Sequence, residues 1–583
     1  MTYRAPVEDL AFALFEAAGL ERLQPYVDGL DAEMTTAILE AAGELASGVL
    51  APINRTGDVQ GARLENGKVV TPDGFAAAYR AFAEGGWNSL SADPAFGGQG
   101  LPKAIELAIF EMVNGANMAF ALCPTLSQAA IEALQAHGTD RQKALYLPRL
   151  VSGEWTGTMH LTEPQAGSDL AAIRTTASPA GDGTWRIRGE KIFITWGGHD
   201  FTDNIIHMIL ARTPDAPAGT RGLSLFVASQ RILSEDGVLG VGNTLGPASL
   251  EHKLGIHASP TCVMLYEDAH AELVGELNQG LAHMFTMMNA ARVGVGVQGV
   301  GIAEGAYQHA LAYARERRQG ASPWSAERPA VIFDHPDVRR MLVLMKAKTA
   351  AARAICLSAG VAADLARLSR DPAERRAAGL RAELLTPIAK AWSTDVGVEV
   401  ASLGVQVHGG MGFIEETGAA QYYRDARIAP IYEGTNGIQA IDLVGRKLPL
   451  EGGEAVRSLL TEIEAILPEL QRGPGLAGVG ERLTAGVRAV EQASAWLAAH
   501  PGPDALAGAV PYLTLFGDVL GGFMLAKEAL AAGRRLAAGE QGAWLGGKIG
   551  LAQVYAGQVL AAAPGLAAAV VQDADALRAV ELG

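Results

Sequence analysis

Apolar residues recur at spacings of three and four through Val7 to Leu23, Ala32 to Leu50 and Ile105 to Ala121, the pattern of helices that bury one stripe. A turn cluster, Asp93-Pro94-Ala95-Phe96-Gly97-Gly98-Gln99-Gly100, interrupts this region. From about Thr156 the period shifts toward two, in Trp185 to Ile194, Ile205 to Leu210, Leu223 to Ala228 and Cys262 to Tyr266, with Gly and Pro between the runs. After Asn278 long helical patterns return, through His283 to Arg318, Asp337 to Leu368 and Arg375 to Val407. The Gly-rich break Leu450-Glu451-Gly452-Gly453 then opens an Ala-, Leu- and Gly-dominated segment that reads as four or five further helices. The pattern predicts an α+β multidomain protein. Its parts are an N-terminal helical domain at 1–155, a middle β-barrel at 156–276, a C-terminal helix bundle at 277–449 and an additional helical C-terminal domain at 450–583.

A length of 583 residues leaves ample interior for a cofactor. The net charge of -16 argues against a general nucleic-acid or anionic-membrane surface and points to small-molecule partners. Cys123, Cys262 and Cys356 lie far apart without metal-ligand spacing, which suits buried thiols in a reducing compartment. The histidines are scattered, no HExxH or P-loop occurs, and no metal is expected. The first ten residues carry no signal-peptide core. The most apolar late stretch, Leu506 to Leu525, is expected to be broken by Pro511 and Asp518, so no membrane insertion and a cytoplasmic location are expected. Gly294-Val295-Gly296-Val297-Gln298-Gly299 matches a dinucleotide fingerprint but sits inside a helical pattern, where small residues serve close helix packing.

Chemistry concentrates in a few loops. Tyr432-Glu433-Gly434-Thr435 isolates a carboxylate between a ring and a glycine, which suits a general base whose pKa is raised by burial. The same residues also fit a surface turn with a helix cap, and the loop alone does not decide. Met159-His160-Leu161-Thr162-Glu163-Pro164-Gln165-Ala166-Gly167-Ser168-Asp169 combines a hydroxyl, a proline turn and exposed backbone N–H groups that suit a pyrophosphate. Phe193 and Thr195, two apart on a strand, share a face suited to covering a flat cofactor.

These loops, with Gln406-Val407-His408-Gly409-Gly410-Met411-Gly412 downstream, resemble the acyl-CoA dehydrogenase family of flavoenzymes from about Leu20 to Leu448. The segments Phe96 to Pro102, Tyr146 to Glu154 and Lys253-Leu254-Gly255 agree, and the long extension resembles the family's large bacterial branch. The resemblance implies FAD, an acyl-CoA substrate, electron-transfer flavoprotein as electron acceptor, and a homo-oligomer, for which the extension favours a dimer over a tetramer. It implies that Glu433 is the α-proton base in a concerted α,β-dehydrogenation to the trans-2-enoyl-CoA, with hydride passing to flavin N5. Met159, Leu161 and Thr162 would meet the flavin ring, Gly167 and Ser168 the pyrophosphate and substrate region, and Phe193, Ile194 and Thr195 the other flavin face. Arg317, Gln406, Gly409 and Gly410 would reach the FAD of a neighbouring subunit, and Thr435 would close over the cofactor. Arg292 and Gly434 would stand at the substrate, although an arginine at that place equally fits a structural ion pair. Ala291 occupies the family's alternative base position and cannot take a proton. Gln165, Phe193, Gln319-Gly320-Ala321 and Pro336 depart from the family's usual residues. An acyl-CoA oxidase using oxygen shares the half-reaction, and a nucleic-acid-binding flavoprotein on the same scaffold is a more distant alternative. The extension is expected to cap the pocket or replace a subunit interface.

Overall fold

The computed structural model describes residues 3–234 and 236–583, so the N-terminal segment is seen from Tyr3 and Met1, Thr2 and Glu235 lie outside the described residues. The first region is built from α1 (Ala32–Leu45), α2 (Phe75–Glu84), α3 (Lys103–His137) and α4 (Asp140–Val151). It also holds a short hairpin, Arg63–Glu65 with Lys68–Val70, that helical periodicity could not announce because each strand is only three residues long. In α3 the helical pattern continues well past Ala121, but Asn117 breaks from helical geometry at φ -161°, ψ 91°. Its Oδ1 accepts the Phe120 N–H at 3.1 Å, so the segment is two helices end to end with Asn117 capping the second.

The strands that follow are β1 (Thr156–His160), β2 (Thr176–Pro179), β3 (Trp185–Thr195), β4 (Ile205–Arg212), β5 (Leu223–Ser229), β6 (Leu245–Leu250) and β7 (Thr261–Val274). The sheet closes on itself: β7 pairs with β3, β3 with β2, β2 with β4, β4 with β5, and β5 returns to β7. Strand β1 adds in parallel to β4, and β6 adds to β7. Inward residues such as Ile187, Ile209, Phe226 and Met264 fill the barrel, while β4 and β5 are buried along nearly their whole length on both faces.

Helices α5 (Gly280–Glu316), α6 (Pro336–Leu368) and α7 (Pro372–His408) form the following bundle, with short α8 (Ala419–Ala426) and α9 (Asn436–Asp442) after it. The glycines of the fingerprint-like run are spacers: a Cβ on Gly296 would lie 2.4 Å from the Ala389 carbonyl oxygen, and one on Gly299 would lie 2.4 Å from that of Ser393. They let α5 and α7 approach backbone to backbone.

The final segment contains α10 (Glu454–Arg472), α11 (Ala477–Ala499), α12 (Pro503–Ala537) and α13 (Ala543–Gln558). Pro511 and Asp518 do not break it, contrary to the expectation from sequence: α12 is continuous through both. Asp518 is satisfied tertiarily, accepting the Trp392 indole N–H at 3.0 Å, with burial pushing its carboxyl up to about 6. Gly517 lets α12 close on α7, since a Cβ there would lie 2.3 Å from the Trp392 ring. Further contacts reach the N-terminus. Phe12 packs edge-on against Trp544 at 4.9 Å, and Lys548 pairs with Asp9 at 2.9 Å and Glu528 at 3.0 Å. One continuous apolar core therefore joins the first helices, the bundle and the extension. Among the described residues five helical stretches are long and apolar enough to cross a membrane by length and composition, and in α3, α6 and α12 the apolar stretch is mostly buried within the protein.

Candidate active site

The loop between α8 and α9 is held from both sides. Asp425 accepts the Ile256 N–H at 2.5 Å, and Arg424 pairs with Asp58 at 2.6 Å, which fixes α8 against the barrel and the first helical region. The Tyr432 hydroxyl donates to Gln298 on α5. Glu433 (φ +54°) and Gly434 (φ +82°) are then both in the left-handed region. A non-glycine residue there costs about 1 kcal/mol or more and persists only where its surroundings enforce it.

Thr435 caps α9, its Oγ1 accepting the Ile438 N–H at 3.2 Å, so the cap reading of this sequence holds. Gln439 donates to the Glu433 and Gly434 carbonyls at 3.4 Å. Asn436 anchors the turn to α7 by donating to Asp395 at 2.8 Å and to the Ala391 carbonyl at 3.0 Å, while Lys390 donates to its Oδ1 at 2.8 Å. Among the described residues the Glu433 N–H donates to no acceptor, leaving it free for a ligand oxygen.

Glu433 retains partial solvent access, yet burial pushes its carboxyl up to about 7, against the opposing pull of the Arg292 and Lys390 cations. Arg292 is 8 % exposed, packs over Phe285 and reaches the loop: a Cβ on Gly434 would lie 3.9 Å from its Nη2. Its guanidinium donates to Asn289 at 3.1 Å, while its buried Nε has no partner among the described residues. Arg292 also lines a cavity of about 660 Å³ bounded by α3, α5, α6 and α7. Among the described residues none beyond Lys447 lines this cavity, so the extension does not cap it.

On the barrel side, Met159 is the penultimate residue of β1 with its side chain in the core, and Leu161 and Thr162 continue half-buried into an open loop in which Gly167 and Ser168 are exposed. A Cβ on Gly167 would meet nothing within 4 Å. The loop's base is pinned by Glu163, which pairs with fully buried Lys191 at 2.8 Å and accepts the Arg174 and Thr175 N–H groups. Gln165, at the departure position, adds a bond from its Nε2 to Glu163 at 2.6 Å. A bulge where β3 pairs with β7, between Cys262 and Met264, accompanies Phe193 at φ +60°, and that ring is 58 % exposed. Thr195 is half-buried, whereas Ile194 is 2 % exposed inside the barrel, so only its backbone is available to the cleft. An exposed ring turned out by a strained residue, beside an open Gly-Ser loop, fits a flat cofactor with a phosphate tail.

Arg317, Gln406, Gly409 and Gly410 are exposed at the far ends of α5 and α7. The helical rise along α5 puts roughly 37 Å between Arg292 and Arg317, so Arg317 lies far from the loop between α8 and α9 of its own chain. Among the described residues no group of three or more His, Cys, Asp or Glu is arranged to hold a metal ion.

Comparison with known proteins matches each of these regions to one family. Residues 32–154, 158–269 and 278–448 correspond to the N-terminal, middle and C-terminal domains described as Acyl-CoA dehydrogenase, and residues 459–581 to a domain described as Acetyl-CoA dehydrogenase C-terminal like. This chain belongs to the acyl-CoA dehydrogenase family. The protein is thus an oxidoreductase acting on acyl-CoA thioesters. A relative named 3-methylmercaptopropionyl-CoA dehydrogenase, from Ruegeria pomeroyi, is 50 % identical over 96 % of this chain and 96 % of its own. The fold is similar to Caenorhabditis elegans ACDH-11 in complex with C11-CoA (TM-score 0.77, 21 % identity, covering 96 % of this chain and 92 % of that one). It is also similar to a Bacillus anthracis acyl-CoA dehydrogenase complexed with FAD (TM-score 0.74, 21 % identity, covering 97 % and 93 %).

In this acyl-CoA dehydrogenase, the sequence reading passed over the residues that hold the candidate loops in place. Lys191, Lys390, Asn436 and Gln439 carry the loops through contacts that no local spacing announces. Lys191 had one available signal, a charge at the head of the apolar run Ile192-Phe193-Ile194 that was due to be buried.

Proposed function

We propose that this enzyme dehydrogenates a short acyl-CoA thioester to its trans-2-enoyl-CoA, using FAD and Glu433 as the base. The observation that carries the reading is a carboxyl lifted to about 7, held in a left-handed turn beside Arg292 and next to an unengaged backbone N–H. A base poised near neutrality is matched to its task, and the free N–H suits an oxygen that gains negative charge as the α-proton leaves. Glu433 Oε takes that proton, and the Glu433 N–H supports the thioester oxygen. Gly434 leaves the approach free of a side chain, and Arg292 and Lys390 limit how far burial raises the base.

Met159, Leu161, Thr162, Gly167, Ser168, Phe193, Thr195 and the Ile194 backbone would hold the FAD, with Thr435 closing the site. Bound FAD supplies the acceptor for the β-hydride. Because Arg317 stands too far from its own loop, it is assigned, together with Gln406, Gly409 and Gly410, to a second copy's cofactor, which makes the working unit a homo-oligomer. A dimer is favoured because the extension covers faces of α6 and α7 that would otherwise need a partner. The identity to the Ruegeria pomeroyi relative favours 3-(methylthio)propanoyl-CoA as substrate. Electron-transfer flavoprotein rather than oxygen is the assigned acceptor, in a cytoplasmic setting.

The test is an acyl-CoA panel with an artificial electron acceptor, run with and without oxygen, on wild type and Glu433→Gln. The variant should keep FAD and lose on the order of 10²- to 10⁴-fold in rate. A near-normal rate would remove Glu433 as base, and acceptor-independent turnover in oxygen would make the enzyme an oxidase.

A further inference from the structure

Lys191 of β3 is fully buried, and its ammonium donates to the Leu161 carbonyl at 2.9 Å and to Glu163 Oε1 at 2.8 Å. The next residue grips the same stretch, the Ile192 N–H donating to the Thr162 carbonyl at 2.9 Å. A peptide unit is planar and trans, so its N–H points away from its own C=O. With the Leu161 carbonyl turned onto Lys191, the N–H of the same unit, that of Thr162, is turned the opposite way, and it has no acceptor among the described residues. A half-buried donor left unpaired is costly, and a ligand acceptor would relieve it.

The charge of Lys191 matters as well as its reach. Burial pulls the ammonium down to about 8, against the pull of Glu163, which leaves it charged at neutral pH. The carboxylate of Glu163 is shared among further donors: Gln165 Nε2, the Arg174 and Thr175 N–H groups and the Thr175 hydroxyl. The Leu161 carbonyl therefore receives a charge-assisted hydrogen bond in a buried setting, where one bond polarises the next, and the Thr162 N–H at the other end of that peptide becomes a stronger donor.

We infer that Lys191 is a positioning residue that raises the reduction potential of the flavin, acting through the Leu161–Thr162 peptide, whose N–H it aims at the ring and strengthens as a donor. This rests on the dehydrogenase reading above, which places Leu161 and Thr162 at the flavin ring. The ring gains electron density on reduction, so a stronger donor at its edge favours the reduced form.

The experiment equilibrates FAD-loaded protein with a reference dye under anaerobic conditions and reads the reduction potential of wild type, Glu163→Gln, Glu163→Gln/Lys191→Met and Glu163→Gln/Lys191→Gln. Removing both charges together strands neither in the interior, so the double variants should fold, and melting temperature and flavin absorbance check that they do. Glu163→Gln keeps the ammonium on the Leu161 carbonyl and should match or exceed the wild-type potential. Both double variants should shift the equilibrium toward oxidised FAD by about threefold to tenfold relative to Glu163→Gln, which is about 14 to 30 mV for a two-electron couple. A residue that only pinned the loop would weaken FAD retention without separating these potentials. A double variant with the potential of Glu163→Gln, or failure of both double variants to fold with FAD bound, would make Lys191 structural alone; either result overturns the inference and leaves the dehydrogenase standing. Wild type that binds no FAD, or whose flavin no acyl-CoA bleaches, would overturn both.

Discussion

The raised carboxyl of Glu433 makes the pH dependence of the reaction a direct probe of the site. With the group near 7 rather than at its ordinary 4.5, only about half the enzyme carries the active base at pH 7. At pH 5.5 the fraction falls to roughly one in thirty, and below that each pH unit removes a further factor of about ten. An unperturbed glutamate would stay about nine-tenths ionised at pH 5.5. Flavin bleaching by substrate, followed by stopped flow between pH 5.5 and 8.5, should therefore rise with unit slope to a midpoint near 7. The linkage to stability has the opposite sense from most carboxylates. The folded state holds the Glu433 proton more tightly than the unfolded chain, so its contribution is fully present below about 4.5 and is lost as pH rises through 7. The gap corresponds to at most about 3 kcal/mol, reduced by the solvent that reaches Glu433, and Glu433→Gln should accordingly raise the melting temperature at pH 8 while leaving it unchanged at pH 4.5. A rate that stays flat from pH 5.5 to 8 would refute the desolvated-base argument.

Other substitutions test the scaffold. Gly434→Ala would place a Cβ 2.7 Å from Gln439 Nε2 at φ +82°, and should lower kcat at least tenfold by displacing the loop, with a stability loss of about 1 kcal/mol in chemical denaturation. Arg353→Met would strand Glu111 and Glu304, which Arg353 now pairs within the core; urea unfolding should show a loss of about 3 to 5 kcal/mol. Gly517→Ala drives a methyl into Trp392 and should cost about 1 to 3 kcal/mol; an unchanged melting temperature would mean that α12 does not need its close seat on α7.

Periodicity announced the order of helices, barrel strands and helices because each element buries one face, and burial must repeat at the element's own period. It did not announce the three-residue hairpin strands at Arg63 and Lys68 or the Asn117 break, which are set by single residues. Nor did it foresee α12 running unbroken past Pro511 and Asp518, because the group that satisfies Asp518 is Trp392, 126 positions away. The catalytic loop shows the same division. Tyr432, Glu433, Gly434 and Thr435 name a carboxylate, a flexible step and a cap, and those chemical types are local properties of the chain. Whether Glu433 titrates near 4.5 or near 7 depends on how much water reaches it and where Arg292 and Lys390 stand, and both are decided by helices far away in sequence. Lys191 is the clearest case. As a letter it is one cation at the head of an apolar run; only the packing of the loop after β1 on β3 buries its ammonium between the Leu161 carbonyl and Glu163, because desolvation is a property of the assembled interior and not of the chain.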